Sequence, residues 1–474
     1  MLISETYRPE TRFRDLGPEF ADPVRPADFP MTVPRFVNHR ALGQLGLGHL
    51  DAAQILTHFG RLDPLPGAQP LPLAVRYHGH QFRTYNPDLG DGRGFLFAQL
   101  REAATGRLSD LSTKGSGRTP YSRSGDGRLT LKGGVREVLA TAMLEALGVN
   151  TSHSVSLMET GEPLERNDEP SPTRSAVLVR RTHSSVRFGG FQRHAFHDRP
   201  DLVARLAEHV IDVYQPDLSG AADPGAALLN RVVEQSATLV AGWMAAGFVH
   251  GVLNTDNMNI NGESFDYGPY RFLPFNDPNF VAAYFDQTGL YAFGRQPEAV
   301  YWNLRQLAGC LLLISEETGL ATALERFPDL YRDALRRAMM RRLGVLGGDV
   351  AAEQALVSAA FRALAAGGAA LRWEPFFHDW FCGEASADRA LQGPRGALYR
   401  EAPFTDFRTL LQGFEPDRPE RLSAAAFAGP EPEELLYDEI EALWAAIAEG
   451  DDWAPFNAKL ARLEATRLAY GFRA

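Results

Sequence analysis

Read from the N-terminus, the chain changes its hydrophobic rhythm twice. Residues 1–75 mix a few apolar clusters with many Pro and Arg, which predicts an extended arm followed by short helices such as 39–60. From 76 to 199 the apolar residues gather into short runs, Gly94-Phe95-Leu96-Phe97-Ala98-Gln99-Leu100 and Ala176-Val177-Leu178-Val179, separated by Gly, Asp and Pro clusters; these predict strands. Within that block Val135, Leu139, Ala142 and Ala146 recur at helical spacing and Gly148 stops them, so a helix is expected over 135–147. Beyond Pro200 long Ala/Leu-rich stretches predict helices over 201–214, 225–247, 298–317, 320–343, 350–367 and 435–470. A loop and strand segment, Val249 to Pro278, interrupts them, and the Pro-rich stretch 413–434 reads as a surface connection. The pattern is α+β, a β-rich half followed by a helical half, and it suggests two lobes that clamp a ligand.

Composition narrows the partners. The 474 residues carry 48 basic and 59 acidic side chains, a formal net charge of −11, which argues against nucleic acid or an anionic membrane as the main partner. The longest apolar run, Leu239 to Val249, falls well short of the roughly 18 residues that span a bilayer. The N-terminus has no apolar signal region, and Cys310 and Cys382 form no metal or disulfide pattern, so a soluble cytoplasmic protein is expected. Of the 48 basic residues only Lys114, Lys132 and Lys459 are lysines, leaving 45 arginines. A lysine that persists in such a chain is a candidate for work that a planar guanidinium cannot copy.

Candidate chemistry collects around one of them. Lys114 lies in Ser112-Thr113-Lys114-Gly115-Ser116-Gly117-Arg118, a small-residue cluster suited to phosphate, and Glu137 on the expected helix could fix it by an ion pair or simply face solvent. Leu89-Gly90-Asp91-Gly92-Arg93-Gly94 precedes a strand; its glycines would let backbone amides approach a phosphate, or form an ordinary hairpin turn. Asp126-Gly127 reads as a turn, and Arg180 and Arg187 as a solvated edge. His78, His80, His194 and His197 lack a third ligand at metal spacing and read as structural or substrate-facing.

The richest stretch runs from His250 to Gly268. Asn261-Gly262 is a hairpin signal, so Met258–Ile260 and Glu263–Phe265 are expected to pair and bring Asp256, Asn257 and Asp266 to one open end. Two carboxylates and an amide oxygen beside a phosphate site suit Mg²⁺, and a carboxylate left off the metal could take a proton from an attacking hydroxyl.

Together these segments resemble the selenoprotein O (YdiU) family of kinase-like protein adenylyltransferases. The matching residues, in order over about 77 to 310, are Tyr77-His78-Gly79-His80-Gln81-Phe82, Leu89-Gly90-Asp91-Gly92-Arg93, Lys114 through Arg123, Gly125-Asp126-Gly127-Arg128, Arg136-Glu137, Val186-Arg187-Phe188-Gly189, His250 through Met258, and Phe265-Asp266-Tyr267-Gly268-Pro269. The resemblance implies a protein-kinase-like fold of two lobes, with 1–75 packing on the core, nucleotide-binding elements in 76–199, and a helical lobe over 200–474 with its catalytic loop at 250–269. It implies that ATP lies reversed, so that AMP passes to Ser, Thr or Tyr of a protein and pyrophosphate leaves. By position, Lys114 would hold phosphates and pair with Glu137, Arg180 and Arg187 would bind the displaced phosphates, and Gly90, Gly92, Arg93, Asp126 and Gly127 would complete the nucleotide site. Asp256 would be the general base, and Asn257 and Asp266 would hold Mg²⁺, with Mn²⁺ as the alternative ion.

Ordinary kinases separate the catalytic Asp from the metal-binding Asn by four residues, whereas Asp256 and Asn257 are adjacent. Residues 82–87 and 131–135 depart from the family wording, and no cysteine follows Cys382, so redox control through a C-terminal cysteine tail is not expected. The alternatives are UMP transfer with Mn²⁺, γ-phosphoryl transfer as in a protein kinase, and a silent pseudokinase that only binds nucleotide.

Overall fold

Strand register decides which side chains can meet. The strand Leu108–Lys114 pairs antiparallel with Leu96–Arg101 on one side and with Thr173–Thr182 on the other, placing Lys114 opposite Leu178 and Ser112 opposite Arg180. Side chains alternate between the two faces of a strand. Ala176 and Leu178 therefore pack into one core, with Val135, Leu139 and Leu157, while Val177 and Val179 enter another with Leu42, Leu45, Phe59, Phe97 and Leu111. Because directly paired residues share a face, Lys114 and Arg180 lie on the Leu178 side, toward the helix Leu131–Ala146.

The computed structural model describes residues 4–167 and 169–472. Its main sheet is antiparallel, in the order Ala21–Pro23, Leu73–Val75, Leu96–Arg101, Leu108–Lys114, Thr173–Thr182, His153–Leu164, Val33–Val37. Pro9–Glu10 adds to Leu96–Arg101, and Leu129–Thr130 adds to Thr173–Thr182. The first 75 residues thus supply four strands to this sheet in addition to the expected short helices, His39–Gln44 and Ala52–Ile55. Those strands run two to five residues, too short for a periodic signal to register. The helix Leu131–Ala146 starts where the Thr130 hydroxyl accepts the Gly133 N–H at 3.1 Å, and it is buried along most of its length.

From Pro200 onward the structure is mainly helical, as the sequence pattern indicates, with Pro200–Tyr214, Pro224–Ala245 and Val350–Gly367 close to their expected bounds, while Gln296–Leu311 stops short of the expected end at 317. Two long helices prove to be pairs. Residues 320–343 divide between Glu317–Glu325 and Phe327–Leu343, because Pro328 lacks an N–H and suits the first turn of a new helix. Residues 435–470 divide between Tyr437–Gly450 and Ala454–Tyr470, where Asp451 adopts a left-handed φ of 48° and Pro455 opens the second helix. A separate aromatic core, including Trp373, Phe376, Phe377, Trp380 and Phe407, holds the far end of this region together. Both cysteines are free and buried, and no helix among the described residues is long and apolar enough to cross a membrane.

Lys459 occupies the buried stripe Phe456, Lys459, Leu463, Thr466 and Tyr470 of the last helix, at helical spacing. Its ammonium lies 2.8 Å from both Glu433 Oε2 and Glu439 Oε1 and donates to the Glu434 carbonyl at 2.5 Å, which clips the Pro-rich connection to the helix. Lys459→Met should therefore lower the unfolding free energy by about 2 kcal/mol, read as a drop in the urea midpoint at unchanged m-value.

Candidate functional site

The sheet face that carries Lys114 and Arg180 opens into a cleft of about 640 Å³. Lys114 lines it, and its ammonium bonds Glu137 Oε1 on the helix Leu131–Ala146 behind it and Asp266 Oδ1, 2.5 Å away, in front. Glu137 is 1% exposed, so the solvated-face alternative does not hold. Asp266 sits at φ 64°, a left-handed conformation uncommon outside glycine. Burial alone would push its carboxyl up, but Lys114, Arg180, Arg93 and Arg187 outweigh that and hold it well below the usual carboxylate range.

Arg180 is buried and Arg187 partly buried in the cleft wall rather than on a solvated edge. Register puts Arg180 beside Lys114, with Nη1 3.7 Å from Asp266 Oδ1; its Nε and Nη1 have no hydrogen-bond partner. Arg187 is held between the rings of Tyr77 and Phe265, 4.7 and 4.8 Å from their centroids. It donates to the Asp256 carbonyl at 3.1 Å and to Asp91 Oδ1 at 3.3 Å. Asp91 in turn accepts the Val75 N–H, so the Gly-Asp-Gly segment is tied to the sheet through its acid.

Asp256 lies in a single helical turn, Thr255–Asn257, with Oδ1 buried and unpartnered. Burial pushes its carboxyl up to about 6, against the pull of Arg187 and with Asp266 adding to the rise. The segment does not form the expected hairpin. Ile260 N–H bonds the Val186 carbonyl and Phe188 N–H the Met258 carbonyl, while Ser264 N–H bonds the Asn150 carbonyl. The two limbs are thus zipped to different parts of the sheet region, and Asn259 and Asn261 use their side chains on Ser184 and His183 instead of a strand ladder. Asp256 and Asp266 still reach the same cleft.

Gly90, Gly92, Arg93, Asp126 and Gly127 all line the cleft. At Gly90 a side chain would press into the Tyr121 ring at 2.3 Å, and at Gly127, φ 72°, into the backbone of Gly117 at 2.3 Å. Both glycines are needed for two loops to close on each other, whatever they bind. Asp126 accepts from Arg166 at 2.8 Å and from the Arg128 N–H at 2.9 Å. Asn257 is not part of the cleft lining; its Nδ2 donates to the Val252 carbonyl at 3.0 Å, leaving Oδ1 as the oxygen that could face a metal. Sequence reasoning missed Tyr77, Arg123 and Arg166 as lining residues and Asp91 as the partner of Arg187. Asp91 stands inside the glycine cluster, and Tyr77 and Arg123 stand in segments that carry the resemblance, whereas Arg166 has no readable signal.

No group of three or more His, Cys, Asp or Glu side chains among the described residues is arranged to hold a metal. The set left for one, Asp266 with the Oδ1 of Asn257, is all oxygen. That suits a hard cation completed by phosphate oxygens and water, the way Mg²⁺ is usually held.

A family model described as "Protein adenylyltransferase SelO" matches residues 3–464. The chain is 44% identical to the protein nucleotidyltransferase YdiU of Synechocystis sp., over 98% of each chain. It is 42% identical to the protein of that name from Trichodesmium erythraeum, over 96% of this chain and 97% of the other. With that of Gloeobacter violaceus it shares 44% identity, over 98% and 95%.

Since the Arg187 charge opposes the upward push on Asp256, Arg187→Met should raise the Asp256 pKa from about 6 by roughly one pH unit. Carboxyl ¹³C titration of aspartate-labelled protein reads this directly.

Proposed function

The chain belongs to the SelO family of protein adenylyltransferases and is a nucleotidyltransferase; on that premise we propose that it moves AMP from ATP to Ser, Thr or Tyr hydroxyls of proteins, with Mg²⁺. The observation that carries this reading is the orphaned carboxylate of Asp256 in the same cleft as Lys114, Arg180 and Arg187. A base and a set of phosphate-binding cations converge there.

In the proposed reaction the acceptor hydroxyl attacks the α-phosphorus and gives its proton to Asp256. The new O–P bond forms as the bridging bond between α- and β-phosphates breaks, and pyrophosphate departs with that electron pair. Lys114, Arg180 and Arg187 stabilise the charge on it; the open N–H groups of Arg180 are suited to its oxygens. Arg93 and the backbone at Gly90, Gly92 and Gly127 would bind the nucleotide, with the Asp126–Arg166 pair at the edge of the cleft. Asp266 and Asn257 would hold Mg²⁺, which when bound would neutralise phosphate charge. The sheet-bearing half and the helical half then act as the two lobes of a kinase-like enzyme, and the unpaired Cys310 and Cys382 support a reducing, cytoplasmic setting.

Incubation with ATP labelled at either the α or the γ phosphate tests the direction of transfer. Protein-bound label is expected from the α position alone; label retained only from γ would make the protein a kinase. Asp256→Asn should lower kcat by about 10²–10⁴-fold. Because the base works ionised and its pKa is raised to about 6, kcat/KM should climb with pH through that value and level off above it.

A further inference from the structure

A second groove, of about 440 Å³, continues from the nucleotide cleft past Lys114 and Arg93. It runs between the start of the helix Leu131–Ala146 and the segment Tyr267–Arg271, ending at Tyr437. Among the described residues the exposed Phe, Tyr and Trp side chains are Phe196, Tyr284, Phe285 and Tyr437, and three of these four rim this one groove. Tyr284 is 82% exposed. Aromatic rings grouped beside arginines are the usual composition of a protein-binding patch.

The charge of the groove is unbalanced. Lys132 is paired with Glu441, Arg128 with Glu162 and Arg166 with Asp126. Arg136 and Arg271 have no carboxylate within ion-pair distance among the described residues. Arg136 donates to the Gly268 and Tyr270 carbonyls, and Arg271 to those of Pro269 and Tyr270, so each spends its hydrogen bonds on backbone. Arg271 lies 4.0 Å over the Tyr437 ring and Arg136 4.7 Å over that of Tyr270. Two neighbouring guanidiniums without an ion-paired carboxylate, the nearby Glu441 being shared with Lys132, make this a local positive site on a chain of net charge −11.

The aromatic rim is also built on the catalytic segment. Phe285 packs edge-on against Phe82, 5.9 Å between centroids, and the Phe82 N–H donates to Asn254 Oδ1, two residues before Asp256. Ala282 lies so close to Gly251 that a side chain there would meet it at 3.1 Å.

We propose that this groove seats the acceptor polypeptide as an extended segment with Asp or Glu near the hydroxyl residue, its acidic side chains against Arg271, with the charge of the buried Arg136 behind it, and an apolar side chain against Tyr284 and Phe285. The proposal rests on the transferase reading above and names the class of acceptor that reading requires.

Two fluorescein-labelled peptides test it, identical except that a Leu-Ser core is flanked by Glu in one and by Lys in the other. They are titrated against the full chain by anisotropy. The Glu peptide should bind at least about ten-fold tighter and weaken with added salt, and Arg271→Glu should abolish or reverse the preference while the ATP Kd from calorimetry stays the same. Tyr284→Ala, a change at a largely exposed ring, should weaken both peptides about five-fold. Equal binding of the two peptides by the unaltered protein overturns the proposal, as does a preference that survives Arg271→Glu. An ATP stoichiometry of two that falls to one in Arg271→Glu, or a dimer that this change dissociates, assigns the groove to nucleotide or to a second copy and overturns it as well. Peptide binding is read without turnover, so label arriving from the γ phosphate would defeat the transferase reading and leave the peptide result standing.

Discussion

One ammonium group sets the geometry on which the rest of the site depends. Lys114 on a central strand is bonded at once to Glu137 on the helix behind the sheet and to Asp266 in a loop more than a hundred residues later. A buried charge without a partner is costly, and two carboxylates brought close repel one another. The ammonium resolves both problems together, and it does so only while strand, helix and loop hold their places. It also helps explain how Asp266 can keep a backbone conformation that its own side chain disfavours: the carboxylate is gripped by Lys114 with Arg180 beside it.

The fold is arranged to keep those three elements in register. Alternation along Thr173–Thr182 sends valines to one core and leucine to the other, and a slip of one residue would exchange the faces and carry Arg180 away from Asp266. The helix that presents Glu137 is itself backed by the last helix, where Arg467 approaches Glu145 at 4.0 Å and Arg40 bonds the same acid at 2.6 Å. On the other side, Arg187 joins the Gly-Asp-Gly segment to the Asp256 carbonyl, so this loop and the turn that carries the carboxylate are tied to each other.

Much of this was legible from residues alone, for reasons that can be stated. The α+β division and the helices after Pro200 follow from long, uninterrupted periodicity. Lys114 and Glu137 were visible because lysine is so rare here, and because a helix was predicted around Glu137. Asp256 and Asp266 were correctly brought together, but by a wrong route: the Asn261-Gly262 signal predicts local pairing, and the backbone instead bonds to segments 186–188 and 150–152, which no local rule can foresee. The short edge strands of the first 75 residues, the burial of Lys459 and the ring sandwich around Arg187 all depend on partners far away in sequence. Even so, Lys459 stands in an apolar stripe that its charge alone concealed.

The preference for arginine has a consequence for how the cleft behaves. A guanidinium keeps its proton at any pH the protein meets. The walls of the cleft are therefore a permanent positive background, set by Arg93, Arg123, Arg166, Arg180 and Arg187, against which only a few acids can change state. Burial raises two of them, Asp91 and Asp256. The first bonds the Val75 N–H and the second has an oxygen with no partner at all. The cleft thus resembles a fixed-bias circuit with one free input, and the proton on Asp256 is the variable that acidity can write to it.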